Sequence, residues 1–348
     1  MKGEVKGGER VRLTHAGFER PLVYERDAPT PEAPTGKNVL ILVEACGVCH
    51  RDLLDRGGRF PFLQLPITPG HEAVGRVVAV GEGATDFRVG DRVATMHRDS
   101  CGECTSCLAG QSSLCQAAAF VFGILADGGY ASARVSPESA LYRVPDEIGA
   151  PEAAVLHCTL GTAYRDLVTL GHMVSGERVL ITGANGGVGV AAVQIASRLG
   201  AEVVAVVRSS AHAPFVRELG ASSVLVDPGN TFHGQAGKVD LALDTVGQPT
   251  FSSALRSLRV GGRVVVVGNI APEKVSLNLG YVITFGLSIV GGSGATRSEM
   301  AAVARMHRER PFTGLVDRVL PLSGAEEAQR LVRSGGLHGR IVLVPSGH

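Results

Sequence analysis

Residues 179–190 read VLITGANGGVGV, and the fold turns on how this stretch is read. Apolar Val179, Leu180 and Ile181 run into a turn holding Gly183, Gly186, Gly187 and Gly189, and a helical apolar pattern follows to Leu199. Glycines in such a turn let it tighten and bring backbone N–H groups against a pyrophosphate at a helix N-terminus. A strand before the glycines and a helix after them are the setting that separates a dinucleotide site from an ordinary turn. Working outward, the same rhythm repeats. Strands are predicted at 178–182, 202–207, 223–226, 241–244, 263–268 and 287–290, with helices between them, as at 190–199 and 213–219. Near-continuous apolar strands alternating with helices predict a parallel sheet covered on both faces. Six of them fit a doubly wound α/β fold.

The end of the second of these strands bears on the cofactor. An NAD site places an acid about 20 residues after the glycines, on the ribose 2′-hydroxyl. Here the chain reads Val207–Arg208–Ser209–Ser210, with no acid. Arg208 can pair with a 2′-phosphate, and Ser209 and Ser210 can donate to it. NADP(H) is therefore expected over NAD(H).

Before residue 158 the pattern is different: Pro- and Gly-rich, with short β-branched runs at 38–43, 73–80, 92–95 and 130–135. These predict an irregular, mostly antiparallel β domain. With 348 residues, two domains are expected: a mostly β domain over 1–158 and a parallel-sheet domain over 159–292. The tail, 293–348, ends in an apolar run at 340–344. It either extends the second sheet or completes the first domain.

Composition excludes several classes. Lys plus Arg is 34 and Asp plus Glu 33, a net charge of +1, which argues against a nucleic-acid or anionic-membrane surface. Hydrophobic residues at 45% exclude a disordered chain. Residues 275–296 carry no charge and are long enough to span a bilayer, but five glycines and several polar residues split them into a short helix and a strand. The charged N-terminus, with Lys2, Glu4 and Lys6, lacks an apolar signal segment. A cytoplasmic protein with a small-molecule substrate is the expectation.

Seven cysteines cannot all pair within one chain, which turns attention to metal. Cys101, Cys104, Cys107 and Cys115 form C-x2-C-x2-C-x7-C, suited to a closed tetrahedral zinc site. An iron–sulfur cluster also takes four cysteines, though this is not the ferredoxin spacing. A dispersed set comprises Cys49, His71, Glu72 and Cys158. Two cysteines and one histidine leave a position open, as catalytic zinc requires, but spacing alone does not join them. Cys46–Cys49 can also be read as a redox C-x-x-C pair, and Cys158 as a small buried hydrophobe.

Taken together, these motifs resemble the zinc-containing medium-chain dehydrogenase/reductase superfamily of the alcohol dehydrogenase type, over essentially the whole chain. The marks are Gly70–His71–Glu72–x2–Gly75–x5–Gly81, the four-cysteine loop, Gly90–Asp91–Arg92–Val93 and Cys158–x3–Thr162–Ala163–Tyr164. The resemblance implies a GroES-like domain, completed by the tail, with a Rossmann domain inserted and hydride transfer in the cleft between them. It implies that Cys49, His71 and Cys158 hold a catalytic zinc, that Glu72 can exchange onto it, and that Asp52 orients His71. It places His50 toward the cofactor phosphates, Thr162 and Val188 at the nicotinamide end, Arg340 at the pyrophosphate, and His97 in the substrate pocket. A homodimer or homotetramer is also implied.

One departure is informative. Family members that oxidise alcohols commonly begin a proton relay with Ser or Thr two residues after the first zinc cysteine and continue it with His three residues later. Here those positions are Arg51 and Leu54. An arginine keeps its protons and passes none on. Together with 244–251 and 279–281, the segment most resembles the archaeal acryloyl-coenzyme A reductase branch, which reduces a double bond conjugated to a carbonyl with NADPH. Three functions are carried forward: reduction of a carbonyl or conjugated alkene, oxidation of an alcohol or polyol, and non-catalytic binding of nucleotide, zinc or RNA.

Overall fold

A computed structural model describes residues 8–271 and 273–346. Lys2, Glu4 and Lys6 of the N-terminal reading lie outside the described residues. The chain divides into two compact units: 1–158 with 316–336 and 340–348, and 159–315 with 337–339.

The first unit is built on strands β1 (Gly8–Arg12), β2 (Val23–Ala28), β3 (Asn38–Val48), β4 (Glu72–Val80), β5 (Arg92–Thr95), β6 (Ala133–Pro137) and β7 (Leu141–Arg143). The second contains β8 (Arg178–Ile181), β9 (Glu202–Val207), β10 (Ser223–Val226), β11 (Val239–Asp244), β12 (Leu258–Val266) and β13 (Ser288–Gly291). The chain then returns to the first unit with β14 (Val316–Pro321) and β15 (Arg340–Val344).

In the second unit the six strands are all parallel, in the order β10-β9-β8-β11-β12-β13. The order reverses beside β8, so the glycine turn that follows β8 lies where a doubly wound sheet binds its ligand. Leu180, Val204, Ala242 and Val264, from four adjacent strands, are completely buried, which is why these strands read as unbroken apolar runs. The helix after the turn, Gly187–Arg198, packs close under it. A Cβ at Gly189 would stand 2.2 Å from the Gly183 carbonyl oxygen, so only glycine permits that approach.

In the first unit β14-β15-β3-β4-β5-β7 form one sheet, with β6 pairing β3. Val39, Ile41, Val77, Phe87, Val93 and Leu141 make a core against it. The register is the feature that builds the site. β15 pairs β3 with Ile341 opposite Val48, and β3 pairs β4 with Gly47 opposite Glu72. Arg340, Gly47 and Glu72 are thereby brought to one end of three neighbouring strands.

Some expected boundaries move. The run expected at 130–135 becomes a strand only from Ala133, because the Tyr130 and Ser132 backbone N–H groups bond Pro69 and Glu9 rather than β3. Of the tail, 316–336 and 340–348 complete the first unit, but 293–315 goes with the second. There Arg165 donates to both carboxylate oxygens of Glu299 at 2.9 and 3.0 Å, and Gln194 exchanges hydrogen bonds with Thr313. The uncharged stretch 275–296 divides, as expected, into the helix Leu279–Phe285 and β13. No helix among the described residues is long and apolar enough to cross a membrane.

Candidate metal centres and cofactor site

Two groups of metal-ligating side chains form in the first unit, and each keeps its ligand atoms within 4.8 Å of one another. The first is Cys49, His71, Glu72 and Cys158. Cys49 ends β3 and precedes the helix His50–Arg56; its backbone N–H donates to Asp52 Oδ2 at 2.9 Å. His71 and Glu72 open β4, and Cys158 stands in a π-type turn, His157–Gly161, after the helix Ala150–Val155. Such turns recur at functional sites. The two sulfurs are 3.9 Å apart, Cys158 Sγ is 3.7 Å from His71 Nε2, and His71 Nε2 is 3.7 Å from Glu72 Oε1.

Behind the ligands, Asp52 is wholly enclosed. Its Oδ1 lies 3.1 Å from His71 Nδ1, and its Oδ2 accepts the Tyr130 hydroxyl at 2.9 Å. An Nδ1–H donated to Asp52 leaves Nε2 with the lone pair facing the cluster, the tautomer a metal needs. Burial pushes the Asp52 carboxyl up, but His71, Arg51 and the Cys49 backbone N–H together outweigh it and hold the group below the usual carboxylate range. Two thiols, an imidazole nitrogen and a carboxylate are the donor set of a zinc site that keeps room for a substrate, so the residues fit that metal. Contact with Cys158 and burial hold Cys49 protonated well above the ordinary thiol range; a divalent cation would reverse this.

Arg340, for which the resemblance implies a pyrophosphate contact, pairs with this group. Its Nε donates to Glu72 Oε1 at 3.1 Å, and its Nη2 lies 3.4 and 3.5 Å from the two sulfurs. The approach depends on Gly47, where a Cβ would stand 2.3 Å from a Glu72 oxygen. His97 places its ring edge-on to His71, at 5.1 Å, and to His157, at 4.6 Å, and its Nε2 is shut off from water without a hydrogen-bond partner. Arg51 donates through Nη2 to the Phe122 carbonyl oxygen and faces Asp55 at 3.2 Å. Leu54, on the same helix, offers no polar atom. His50, half-buried, is the first residue of that helix.

The second group is Cys101, Cys104, Cys107 and Cys115, around the short helix Thr105–Leu108. Three of its sulfur pairs lie at 3.6, 3.9 and 4.0 Å. Backbone N–H groups of Cys101 and Cys104 each donate to a sulfur at 3.3 Å. Further backbone N–H donors, from Cys107 and Gln116, bring the Cys104 thiol down to about 6. Four thiols of which one already favours thiolate fit a closed zinc site. Cys46, the seventh cysteine, joins neither group and donates weakly to the Gly47 carbonyl oxygen.

In the second unit, Gly186 caps the helix that Gly187 begins, with Val188 half-buried in its first turn. Gly183 has φ +56°. This turn is the cradle a pyrophosphate would fill. Arg208 and Ser210 are exposed after β9, and Ser209 Oγ accepts the Ala211 N–H at 3.3 Å. Thr162 is buried in the helical turn Thr162–Tyr164.

Tyr130 and the Arg340–Glu72 pairing are the site features that the sequence left unassigned. Tyr130 stands 78 residues from Asp52, and no spacing rule links them.

Comparison with known proteins gives the family. Residues 35–146 match the alcohol dehydrogenase GroES-like domain, and residues 187–309 the zinc-binding dehydrogenase domain. An acryloyl-coenzyme A reductase of Sulfurisphaera tokodaii is 33% identical over 90% of this chain and 95% of its own. An alcohol dehydrogenase of Geobacillus stearothermophilus is 34% identical over 94% and 97%. The crystal structure of AibC superposes with a TM-score of 0.89 at 38% identity, covering 98% of this chain and 97% of that one.

Proposed function

The chain belongs to the zinc-containing medium-chain dehydrogenases/reductases of the alcohol dehydrogenase type, and from that premise we propose that it reduces an alkene conjugated to a carbonyl, such as an enoyl thioester, with NADPH. It is a zinc-family oxidoreductase that uses a nucleotide cofactor. In the proposal the chain carries two zinc ions, one held by Cys49, His71 and Cys158 with Glu72 in reserve, the other by the four-cysteine loop. Bound in these places, zinc supplies a Lewis acid for the carbonyl oxygen and NADPH a hydride for the β-carbon.

The observation that carries the reading is Arg51. Its guanidinium is fixed on the Phe122 carbonyl at the position where an alcohol-oxidising member needs a hydroxyl to lead the proton out. Alcohol oxidation must remove that proton, whereas a reduced alkene gains one at its α-carbon, and water can deliver it. Asp52 and Tyr130 hold His71 in its ligating tautomer, and Arg340 balances the enclosed Glu72 charge. Arg208, Ser209 and Ser210 receive the 2′-phosphate, and His50, Thr162 and Val188 are assigned to the rest of the dinucleotide. A homo-oligomer is part of the proposal, supported by the edge strand β13 with its exposed Ile289 and by exposed Leu279 and Ile283 in the helix before it. Sedimentation reads its size.

A substrate panel followed at the NADPH absorbance band tests the reading. Enoyl thioesters or enones are expected to be turned over fastest. Faster oxidation of an alcohol with NADP+ or NAD+ than reduction of any conjugated alkene overturns it.

A further inference from the structure

The second unit contains a histidine pair that neither metal group uses. His212 ends the short 3-10 turn Ser210–His212 just beyond Arg208, and its Nδ1 lies 2.8 Å from His338 Nε2. The two residues are 126 positions apart in sequence. At that distance one nitrogen donates a hydrogen to the other. The His338 ring stacks flat on Phe215, with centroids 4.1 Å apart and planes 7° from parallel. The segment carrying His338 is itself tied to the glycine turn: Asn185 Nδ2 donates to the Leu337 carbonyl oxygen at 2.9 Å, and Gly339 N–H to the Asn185 carbonyl oxygen at 3.0 Å. The imidazole pair thus links the turn after Arg208 to the loop that cradles the pyrophosphate.

We propose that His212 and His338 form a proton-linked subsite for the cofactor's 2′-phosphate, taking up one proton as the phosphate binds. The inference rests on the NADPH reading above. Its chemistry follows from the shared hydrogen bond. In a neutral pair, the ring that donates the bridging hydrogen has a bare outer nitrogen, and the ring that accepts it has an outer N–H. One added proton goes to the bare nitrogen. Both outer positions are then N–H and the pair carries one positive charge, the complement of a phosphate dianion. Burial, then His338, then Arg208 from the end of β9 hold His212 below the ordinary imidazole value. Phe215 and Asn185 bring no charge. A phosphate beside the pair opposes the Arg208 field and favours the proton. Binding that takes up a proton weakens as pH rises.

The probes are adenosine 2′,5′-bisphosphate and AMP, titrated calorimetrically between about pH 6.5 and 9, a range in which the 2′-phosphate, with a second pKa near 6, is mainly dianionic. In the parent chain the dissociation constant of the bisphosphate is expected to rise by up to about tenfold per pH unit, with proton uptake seen as a dependence of heat on buffer ionisation. AMP binding is expected to stay flat. His212→Gln and His338→Gln should remove the slope and the proton uptake while retaining AMP binding, which reports an intact fold. Arg208→Gln should weaken the bisphosphate but keep the slope. A preference for the bisphosphate without proton uptake, or a slope unchanged in both histidine variants, overturns this inference alone. Equal affinity for both probes at every pH overturns it together with the NADPH reading.

Discussion

The two metal groups draw on the same chemistry in opposite ways. The four-cysteine group comes from one loop, residues 101–115, lies largely at the surface, and is steadied by its own backbone N–H groups. The Cys49 group is gathered from three places along the first 158 residues, is enclosed, and is steadied by other side chains: Asp52, Tyr130 and Arg340. A loop that supplies all its own ligands can form wherever it is placed. A site that must hold a metal and still admit substrate needs a sheet to fix its ligands from outside.

Removing a ligand from each group should separate these roles. Cys158→Ala is expected to lower turnover by about a thousandfold or more, since it removes a ligand of the proposed Lewis-acid site. Circular dichroism should stay unchanged and one zinc per chain remain by elemental analysis. Full activity in this variant would break the contrast. Cys104→Ser with Cys107→Ser should instead remove the other zinc and lower the unfolding midpoint by about 5–10 °C, with turnover at 25 °C retained. Tyr130→Phe deletes only the hydroxyl that reaches Asp52. It should weaken zinc at the enclosed site by about tenfold in a chelator competition and cost about 1 kcal/mol of stability. Loop zinc should be unaffected.

The smallest effect is in labelling after chelation. Backbone N–H groups lower the Cys104 pKa to about 6, so its thiolate is present above that pH and iodoacetamide should modify it readily at pH 7. Contact with Cys158 and burial raise Cys49, which should stay unlabelled until well above pH 9. Mass spectrometry of the peptides decides between equal and ordered labelling.

The same contrast explains what could be read from the sequence. The loop was legible outright, because its ligands share one short spacing. The parallel sheet was legible because strands buried on both faces leave unbroken apolar runs, as at Val203–Val207. Cys49, His71 and Cys158 were joined only by family resemblance, since neither composition nor period relates residues 109 positions apart. Tyr130 carries no signal in the sequence: it reads as the start of a strand, yet its backbone bonds Pro69 and its hydroxyl serves Asp52. The approach of Arg340 to Glu72 has no motif either, since it follows from the register of β15 on β3 and from the bare Cα of Gly47.

That register also sets an order in time. Arg340 belongs to β15, 291 residues after Cys49, whose sulfur it approaches. At about 5–20 residues per second, a ribosome makes all four candidate ligands of the enclosed group and then works for about 10–40 s more before it adds Arg340. Through that interval the nascent chain holds two thiols, a histidine and a glutamate without their arginine. The last strand does more than complete a sheet: its arrival gives the enclosed Glu72 carboxylate its counter-charge.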